Sequence, residues 1–288
     1  MDITSDMIKR LREKTGAGMM DCKRALESTQ GDMDAAIEYL RKKGAAVAAK
    51  RADRSAKEGV IVTRVSPDGR TGVIVEVNSE TDFVGRSQDF AAFAIAAAEV
   101  VEKQKPSTVD QLMNLTAPNG KKLSALLNDL LAKVGEKISV RRFVILETPA
   151  GAISSYTHLG NKIGVLVEFA GLSAEEARGG AGRDIAMQVA AMSPLVIHRD
   201  QVEKNLIDRE LEIYRTQAKN EGKPANIVEK IASGRLEKFF QEVCLLEQTF
   251  IKDSGKSVRD YLQDASRKSG REITVRKYHR FHLGEETT

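Results

Sequence analysis

An acidic and an aromatic residue stand side by side just beyond a strand pattern. Residues 73–77 are apolar except for Glu76, and the polar run that follows carries Asp82 and Phe83. A carboxylate at the end of a strand can accept hydrogen bonds. An aromatic ring that does not pack in its own core can be buried in a pocket of a partner protein. Two interpretations of Phe83 stay open: a wedge offered to another molecule, or a ring that folds back to cap the core.

The residue types that catalysis requires are present without the necessary spacing. Of the four histidines, His279 and His282 lie near the C-terminus and His198 follows Pro194. The chain contains no G-x-S-x-G, H-E-x-x-H or paired C-x-x-C motif, and the Gly16-Ala-Gly18 run has neither a preceding strand nor a third glycine. We therefore expect no enzymatic reaction, no metal site and no cofactor.

Two strand-turn-strand patterns resemble each other. Displacing the sequence by 92 residues aligns Gly59 with Gly151, Ile61 with Ile153, Gly72 with Gly164, Val73 with Val165, Val75 with Val167 and Glu76 with Glu168. Each hairpin precedes an alanine-rich helical pattern, over 90–102 and 183–192. The repeat predicts a duplicated α+β core with antiparallel sheets. Only the first copy carries an acid–aromatic pair, so we interpret it as the specialised one.

Helical spacing predicts three short helices at the N-terminus. Thr4 or Ser5 can cap the first helix, and Gly44 is expected to end the third. A module of about 44 residues is marginally stable unless it docks on a larger body. Residues 45–57 are rich in alanine and basic side chains, which predicts a helical linker with either a solvated face or a contact to an acidic partner.

The remainder of the chain is mostly helical. Two apolar stripes separated by Gly222 and Pro224 predict an inserted antiparallel helical hairpin that stands off the core. A basic, strand-like end over 273–281 could pair with the core sheet or reach a partner. The predicted organisation is a three-helix module with its linker (1–57), a first core repeat (58–148), a second core repeat with the hairpin at about 200–250 (149–270) and a C-terminal tail module (271–288).

Composition disfavours several classes of protein. With 41% apolar and 30% charged residues, the chain is typical of a folded globular protein. Its net charge of +4 lies in residues 1–57, which hold 13 basic and 9 acidic side chains, and aromatic residues make up only 5%. We therefore expect no direct nucleic-acid binding. Because no long apolar run or signal peptide is present and the two cysteines are far apart, we expect no membrane segment, no disulfide and a cytoplasmic location.

The run Asn78-Ser-Glu-Thr-Asp-Phe-Val84 after an apolar strand resembles the signature of the bacterial elongation factor Ts family, the guanine-nucleotide exchange factors of elongation factor Tu. The block Leu11 to Leu26 is similar to the family's N-terminal module, and blocks over 134–143 and 158–167 follow in the family's order. The resemblance implies a ubiquitin-associated-like fold for the three-helix module and elongation factor Tu as the partner. It also implies that a projecting coiled coil contacts the partner or a second copy, in a homodimer or 2:2 complex.

The resemblance also implies site residues. In this family the strand-end motif intrudes next to the magnesium site of the partner, which assigns that role to Thr81, Asp82, Phe83 and Val84. Further contacts are implied at Met19, Met20, Lys23, Val134 and His158. Core packing is the alternative for the methionines and Val134, and a plain surface position is the alternative for His158. A rival function, an RNA-binding or ribosome-associated adaptor, is motivated by the basic N-terminus and tail.

Overall fold

The structure is a computed structural model that describes residues 3–50 and 56–285, so residues 51–55 of the predicted linker lie outside the described part. The helices are α1 (Ser5–Thr15), α2 (Met19–Ser28), α3 (Met33–Lys50), α4 (Asp82–Gly85), α5 (Gln88–Gln104), α6 (Val109–Asn114), α7 (Leu123–Val134), α8 (Ala174–Arg178), α9 (Gly180–Met192), α10 (Lys204–Asn220), α11 (Ala225–Val243) and α12 (Val258–Ser269). The strands are β1 (Glu58–Val65), β2 (Thr71–Ser79), β3 (Ile138–Glu147), β4 (Ala152–Thr157), β5 (Ile163–Ala170), β6 (Thr249–Phe250), β7 (Asp253–Ser257) and β8 (Thr274–His282).

Two three-stranded antiparallel sheets form the centre of the molecule, with strand orders β1-β2-β3 and β4-β5-β8. Helices α5 and α7 bury apolar side chains against the first sheet, and α9 and α12 do so against the second. A smaller apolar cluster, which includes Ile61, Ile153 and Phe281, joins the two sheets. The predicted α+β fold with antiparallel sheets is therefore confirmed. Within the described ranges, no helix is both long and apolar enough to cross a membrane.

The two sheets carry the same irregularities at equivalent positions. The register shifts immediately after Glu76 in β2 and immediately after Glu168 in β5, so the two shifts occur 92 residues apart on the central strands. Gly59 and Gly151 both have positive φ, and a Cβ on either would lie 2.0 or 1.9 Å from a backbone oxygen of the neighbouring strand. Only glycine fits so close an approach. The structure thus confirms the predicted duplication of the core.

The N-terminal module is a three-helix unit around a small core that includes Leu11 and Leu26. Thr4 caps α1, because its hydroxyl oxygen accepts a hydrogen bond from a backbone N–H of the first turn. The predicted end of the third helix at Gly44 is wrong, since α3 continues to Lys50. One glycine in a helix costs only about 1 kcal/mol, which the alanine-rich segment after it can offset.

The inserted hairpin consists of α10 and α11, joined by a turn at residues 221–224. Arg215 binds Glu229 through two hydrogen bonds of 2.8 and 3.1 Å, and Arg235 donates to Glu221 at 2.7 Å, so paired side chains cross between the two helices. The C-terminal segment forms β8, which pairs with β5 along its whole length. The sequence left two alternatives for this basic segment, pairing with the core sheet or contact with a partner, and the structure shows the pairing.

Candidate functional site

The acid–aromatic pair lies on a single helical turn, which we call the Phe83 turn (residues 81–85). Strand β2 ends at Ser79, and Thr81 is extended, with φ −122° and ψ 156°. Its side chain caps α4 by accepting a 3.5 Å hydrogen bond from the Val84 N–H. The sequence pattern predicts a helix only over 90–102 in this region and does not predict the Phe83 turn. Four residues are too few to give a helical periodicity that the sequence could reveal.

Phe83 is the most exposed part of this turn, with 84% of its surface accessible. Val84, the next residue, packs against the core of the first sheet. Because neighbouring residues of a helical turn point in different directions, burial of Val84 directs Phe83 outward. The interpretation in which Phe83 caps the core does not hold. An exposed phenylalanine on a turn anchored by its neighbours is suited to insertion into a partner's pocket.

Thr81 is bound to a distant acidic residue, Glu136, that the sequence pattern did not single out. Its backbone N–H donates to Glu136 Oε2 at 3.1 Å, and its hydroxyl lies 2.9 and 3.0 Å from the two carboxylate oxygens. In return, the Lys137 N–H donates to the Glu80 carboxylate at 2.7 Å. The polar groups of Thr81 are therefore occupied by contacts within the same chain. The cap at Thr81 lacks the acidic third helical residue of a capping box, and no sequence spacing indicated that Glu136 supplies the missing carboxylate.

Asp82 forms an ion pair with Arg86 one turn later, at 3.0 Å. The side chains of the two residues are 42% and 78% exposed, respectively. Exposed ion pairs contribute about 0–1 kcal/mol to stability. Breaking the pair so that Asp82 can bind a donor of a partner protein therefore costs little free energy. The Asp82 carboxylate is thus available for a new hydrogen bond.

Val134 is linked to the Phe83 turn by a nearby residue of the same segment, which makes the contact. It is the last residue of α7, is partly buried against the first core, and precedes Gly135, which ends the helix in the left-handed conformation. Two residues later stands Glu136, the partner of Thr81. The preceding Lys133 packs against Gly16 of the N-terminal module, whose missing Cβ leaves room for the lysine side chain. The end of α7 therefore contacts both the module and the Phe83 turn.

The N-terminal candidates lie together on the surface of α2. Met19 and Met20 are 58% and 62% exposed, and Lys23 is exposed one turn later. Core packing does not account for either methionine. Exposed methionines are adaptable contact residues because their side chains are unbranched and polarisable.

His158 lies on a different turn, between β4 and β5, where its Nδ1 is 3.0 Å from the Tyr156 hydroxyl. The backbone of this turn is tied to β1, since the Ile61 N–H donates to the Asn161 carbonyl at 2.7 Å. Leu159 beside it is 90% exposed and was missed in the sequence. A leucine in a tight turn between two strands was the available signal, because turns favour polar residues and glycine.

In the described residues, no group of histidine, cysteine, aspartate and glutamate side chains has the arrangement of a metal site. The polar side chains of the Phe83 turn instead pair with Glu136, with Arg86 and with the backbone. The turn offers an exposed aromatic ring and a carboxylate, both presented by a rigid backbone. Such a set can bind and displace groups of another molecule, and it provides no nucleophile paired with a base.

Comparison with known proteins identifies similar chains. The family model described as Elongation factor TS matches residues 80–285. The chain is 48% identical to Elongation factor Ts of Prosthecochloris aestuarii over 286 residues, covering 98% of this chain and 99% of that protein. It is 44% identical to Elongation factor Ts of Chloroherpeton thalassium over 288 residues (99% of each chain) and 45% identical to Elongation factor Ts of Clostridium perfringens over 283 residues (98% of this chain and 93% of that protein).

Proposed function

Because this chain belongs to the elongation factor Ts family, we propose that it is a guanine-nucleotide exchange factor acting in translation elongation. It binds elongation factor Tu in the GDP state, disturbs the magnesium and phosphate site of that GTPase and promotes release of GDP, after which GTP binds. The exposure of Phe83 is the observation that carries this proposal. The protein itself binds no cofactor and catalyses no covalent step.

An exchange factor works by binding the nucleotide-free partner more tightly than the nucleotide-bound one. A GTPase holds its nucleotide through backbone N–H groups, a lysine and a magnesium ion, so loss of any of these contacts speeds release. By linkage, the factor and the nucleotide weaken each other's binding by the same ratio. A thousandfold ratio corresponds to about 4 kcal/mol, which must come from contacts made in only one state.

Phe83 can supply a large share of that difference. Burying a phenylalanine side chain contributes roughly 1.5–3 kcal/mol, and it does so only in the state whose pocket is open. The ring is presented by a turn whose first residue is held by Glu136 and whose Val84 is held by the core. Little conformational entropy is then lost on insertion, because the turn is ordered before it binds. Asp82 adds a carboxylate that can accept hydrogen bonds from displaced groups of the partner.

The other exposed candidates extend the contact. We assign Met19, Met20 and Lys23 to the GTPase domain of the partner, and the His158 turn to another domain. We assign Val134, which is partly buried against the first core, to the edge of the contact beside the Phe83 turn. Assembly as a homodimer or a 2:2 complex, a cytoplasmic location and the absence of direct nucleic-acid binding remain predictions.

Stopped-flow release of a fluorescent GDP from elongation factor Tu tests the proposal. The native chain is expected to accelerate release, and Phe83→Ala is expected to lose most of the acceleration while remaining folded, since the ring makes no core contact. Leu195→Ala is the matched control, because Leu195 is 57% exposed at a site away from the Phe83 turn. Acceleration that survives Phe83→Ala would discard the wedge. A folded native chain without acceleration would refute exchange activity, and salt-sensitive RNA binding would then favour an adaptor.

A further inference from the structure

The duplicated core contains a second turn equivalent to the Phe83 turn. Displacement by 92 residues places Thr81 of the first copy on Ser173 of the second, and each residue caps a short helix after the central strand of its sheet. Thr81 accepts from the Val84 N–H at 3.5 Å, and Ser173 accepts from the Glu176 N–H at 3.3 Å. The two turns therefore begin with the same local structure.

The carboxylate that completes the cap comes from different places in the two copies. In the second copy, Glu176 Oε2 accepts from both the N–H and the hydroxyl of Ser173, each at 2.7 Å, which is a capping box within one helix. In the first copy the corresponding residue is Val84, which has no acceptor. Glu136, from the segment before β3, accepts from the same two donors of Thr81.

The two copies differ in charge at the segment before the third strand. Ser139 pairs with Asn78 in the first sheet, and Thr274 pairs with Ala170 in the second. Counting back three residues from each places Glu136 and Arg271 at equivalent positions. Arg271 donates to Glu176, and hydrogen bonds from Ser173, followed by the one from Arg271, lower the pKa of that carboxyl to about 2. The carboxylate thus lies on the helix in one copy and on the strand segment in the other.

Because the carboxylate of the first copy lies on the segment before β3, helix α4 does not have to carry it and has room for contact residues. A glutamate at position 84 would put a charge where Val84 now packs on the first core. With the acceptor moved to Glu136, the turn keeps its cap, Val84 stays apolar, and Phe83 remains outside. Thr81, the first residue of the turn that carries Phe83, is therefore held by a residue adjacent to the end of α7.

From this geometry, and resting on the exchange function proposed above, we infer that Glu136 is a positioning residue for Phe83. It makes the turn stiff enough for the ring to displace groups in the partner. Removing it leaves the exposed contact residues in place and loosens only their presentation. The rate at saturating factor should then fall more than the affinity for the partner.

The test measures GDP release from elongation factor Tu as a function of factor concentration, which yields a limiting rate and a half-saturating concentration. For Glu136→Ala we expect the limiting rate to fall roughly tenfold, equivalent to about 1.4 kcal/mol, with the half-saturating concentration changed less than about threefold. Glu136→Gln should retain most of the rate. Its amide oxygen can occupy the place of Oε2, which lies 3.1 and 3.0 Å from the two donors of Thr81.

Glu176→Ala is the matched control, because it removes the equivalent carboxylate from a turn without an aromatic residue. It should lower the unfolding temperature about as much as Glu136→Ala and leave both kinetic parameters native. Thr81→Val provides a second variant, which removes the hydroxyl that donates to Glu136 and accepts from the Val84 N–H. Combined with Glu136→Ala it should slow release by less than the product of the two single effects, since both changes break the hydrogen bond between the Thr81 hydroxyl and Glu136.

Three results would overturn the inference. Equal limiting rates for Glu136→Ala and Glu176→Ala would show that Glu136 contributes to stability and does not position Phe83. A Glu136→Gln rate as low as that of Glu136→Ala would indicate that the charge itself contacts the partner. A native chain that fails to accelerate release would refute the exchange function and the inference together, which distinguishes it from the first two results.

Discussion

Ile153 packs directly against Gly72 at the junction of the two sheets, where a Cβ on Gly72 would lie 2.7 Å from Ile153 Cγ2. The equivalent pair in the other copy repeats the contact, with 2.5 Å between a Cβ on Gly164 and Ile61 Cγ2. Each sheet thus contributes a glycine that receives an isoleucine of the other. The pseudo-twofold junction depends on both glycines, because a side chain at either would push the sheets apart.

We predict that Gly164→Ala destabilises the protein by about 1–3 kcal/mol through overpacking of this junction. The Cβ would also approach Ile74 Cδ1 and Thr63 Cγ2, each at 3.1 Å, so the isoleucine has little room to move away. Urea unfolding followed by circular dichroism measures the change. An unchanged unfolding midpoint would show that the sheets can separate slightly at no cost.

Gly234→Ala is expected to act in the opposite direction. Gly234 lies within α11, and a Cβ there meets no atom within 4 Å. Alanine in a helix interior is more stable than glycine by roughly 0.5–1 kcal/mol, since it restricts the unfolded chain more. The same urea titration should show a higher midpoint. A lower midpoint would mean that this face of the hairpin is covered in the free protein.

Glu76→Gln should cost about 3 kcal/mol, because it removes the charge that two arginines share. Glu76 is fully buried and accepts from Arg141 at 3.1 Å, Arg142 at 2.7 Å and the Gly284 N–H at 3.1 Å. Glu168→Gln is the matched control, since among the described residues the equivalent Glu168 forms an ion pair with Arg276 alone, at 3.8 Å. Unfolding in urea should show a clearly smaller loss for the control, and equal losses would contradict this account.

Acid should weaken the second copy through Glu176. Hydrogen bonds from Ser173, and then from Arg271, lower the pKa of this carboxyl from 4.5 to about 2. A depressed folded-state pKa stabilises the protein above the unfolded value, and that contribution is lost as pH falls from 4.5 towards 2. Melting temperatures of the native chain and Glu176→Gln should converge across this interval. A difference that stays constant down to about pH 2.5 would contradict the assignment.

Leu159→Ala should weaken association without slowing the exchange step. Leu159 is 90% exposed on the His158 turn, which is a separate turn from the Phe83 turn, so we expect it to contribute binding area alone. Loss of a leucine buried at an interface corresponds to roughly 1.5–2 kcal/mol, or a ten- to thirtyfold rise in the half-saturating concentration. The limiting rate of GDP release should stay native, as it should for Leu195→Ala. An unchanged half-saturating concentration would remove this turn from the interface.

The amino-acid sequence alone predicts the architecture wherever the signal is local. Alternating apolar residues and turn glycines predicted β1, β2, β4 and β5, and the 92-residue repeat predicted that two sheets share one plan. Helical spacing predicted the three-helix module and the hairpin of α10 and α11. These patterns are readable because strand and helix periodicities place side chains on faces within a few residues.

How the Phe83 turn is held and which way its ring points become visible in the folded structure. Glu136 reaches Thr81 across 55 residues, a separation over which sequence spacing carries no geometric information. The pairing of β8 with β5 and the exposure of Leu159 are decided in the same way, because they depend on which segments meet when the sheets assemble. A local pattern names the residues of a contact surface, whereas their orientation follows from long-range hydrogen bonds and packing that form only in the folded chain.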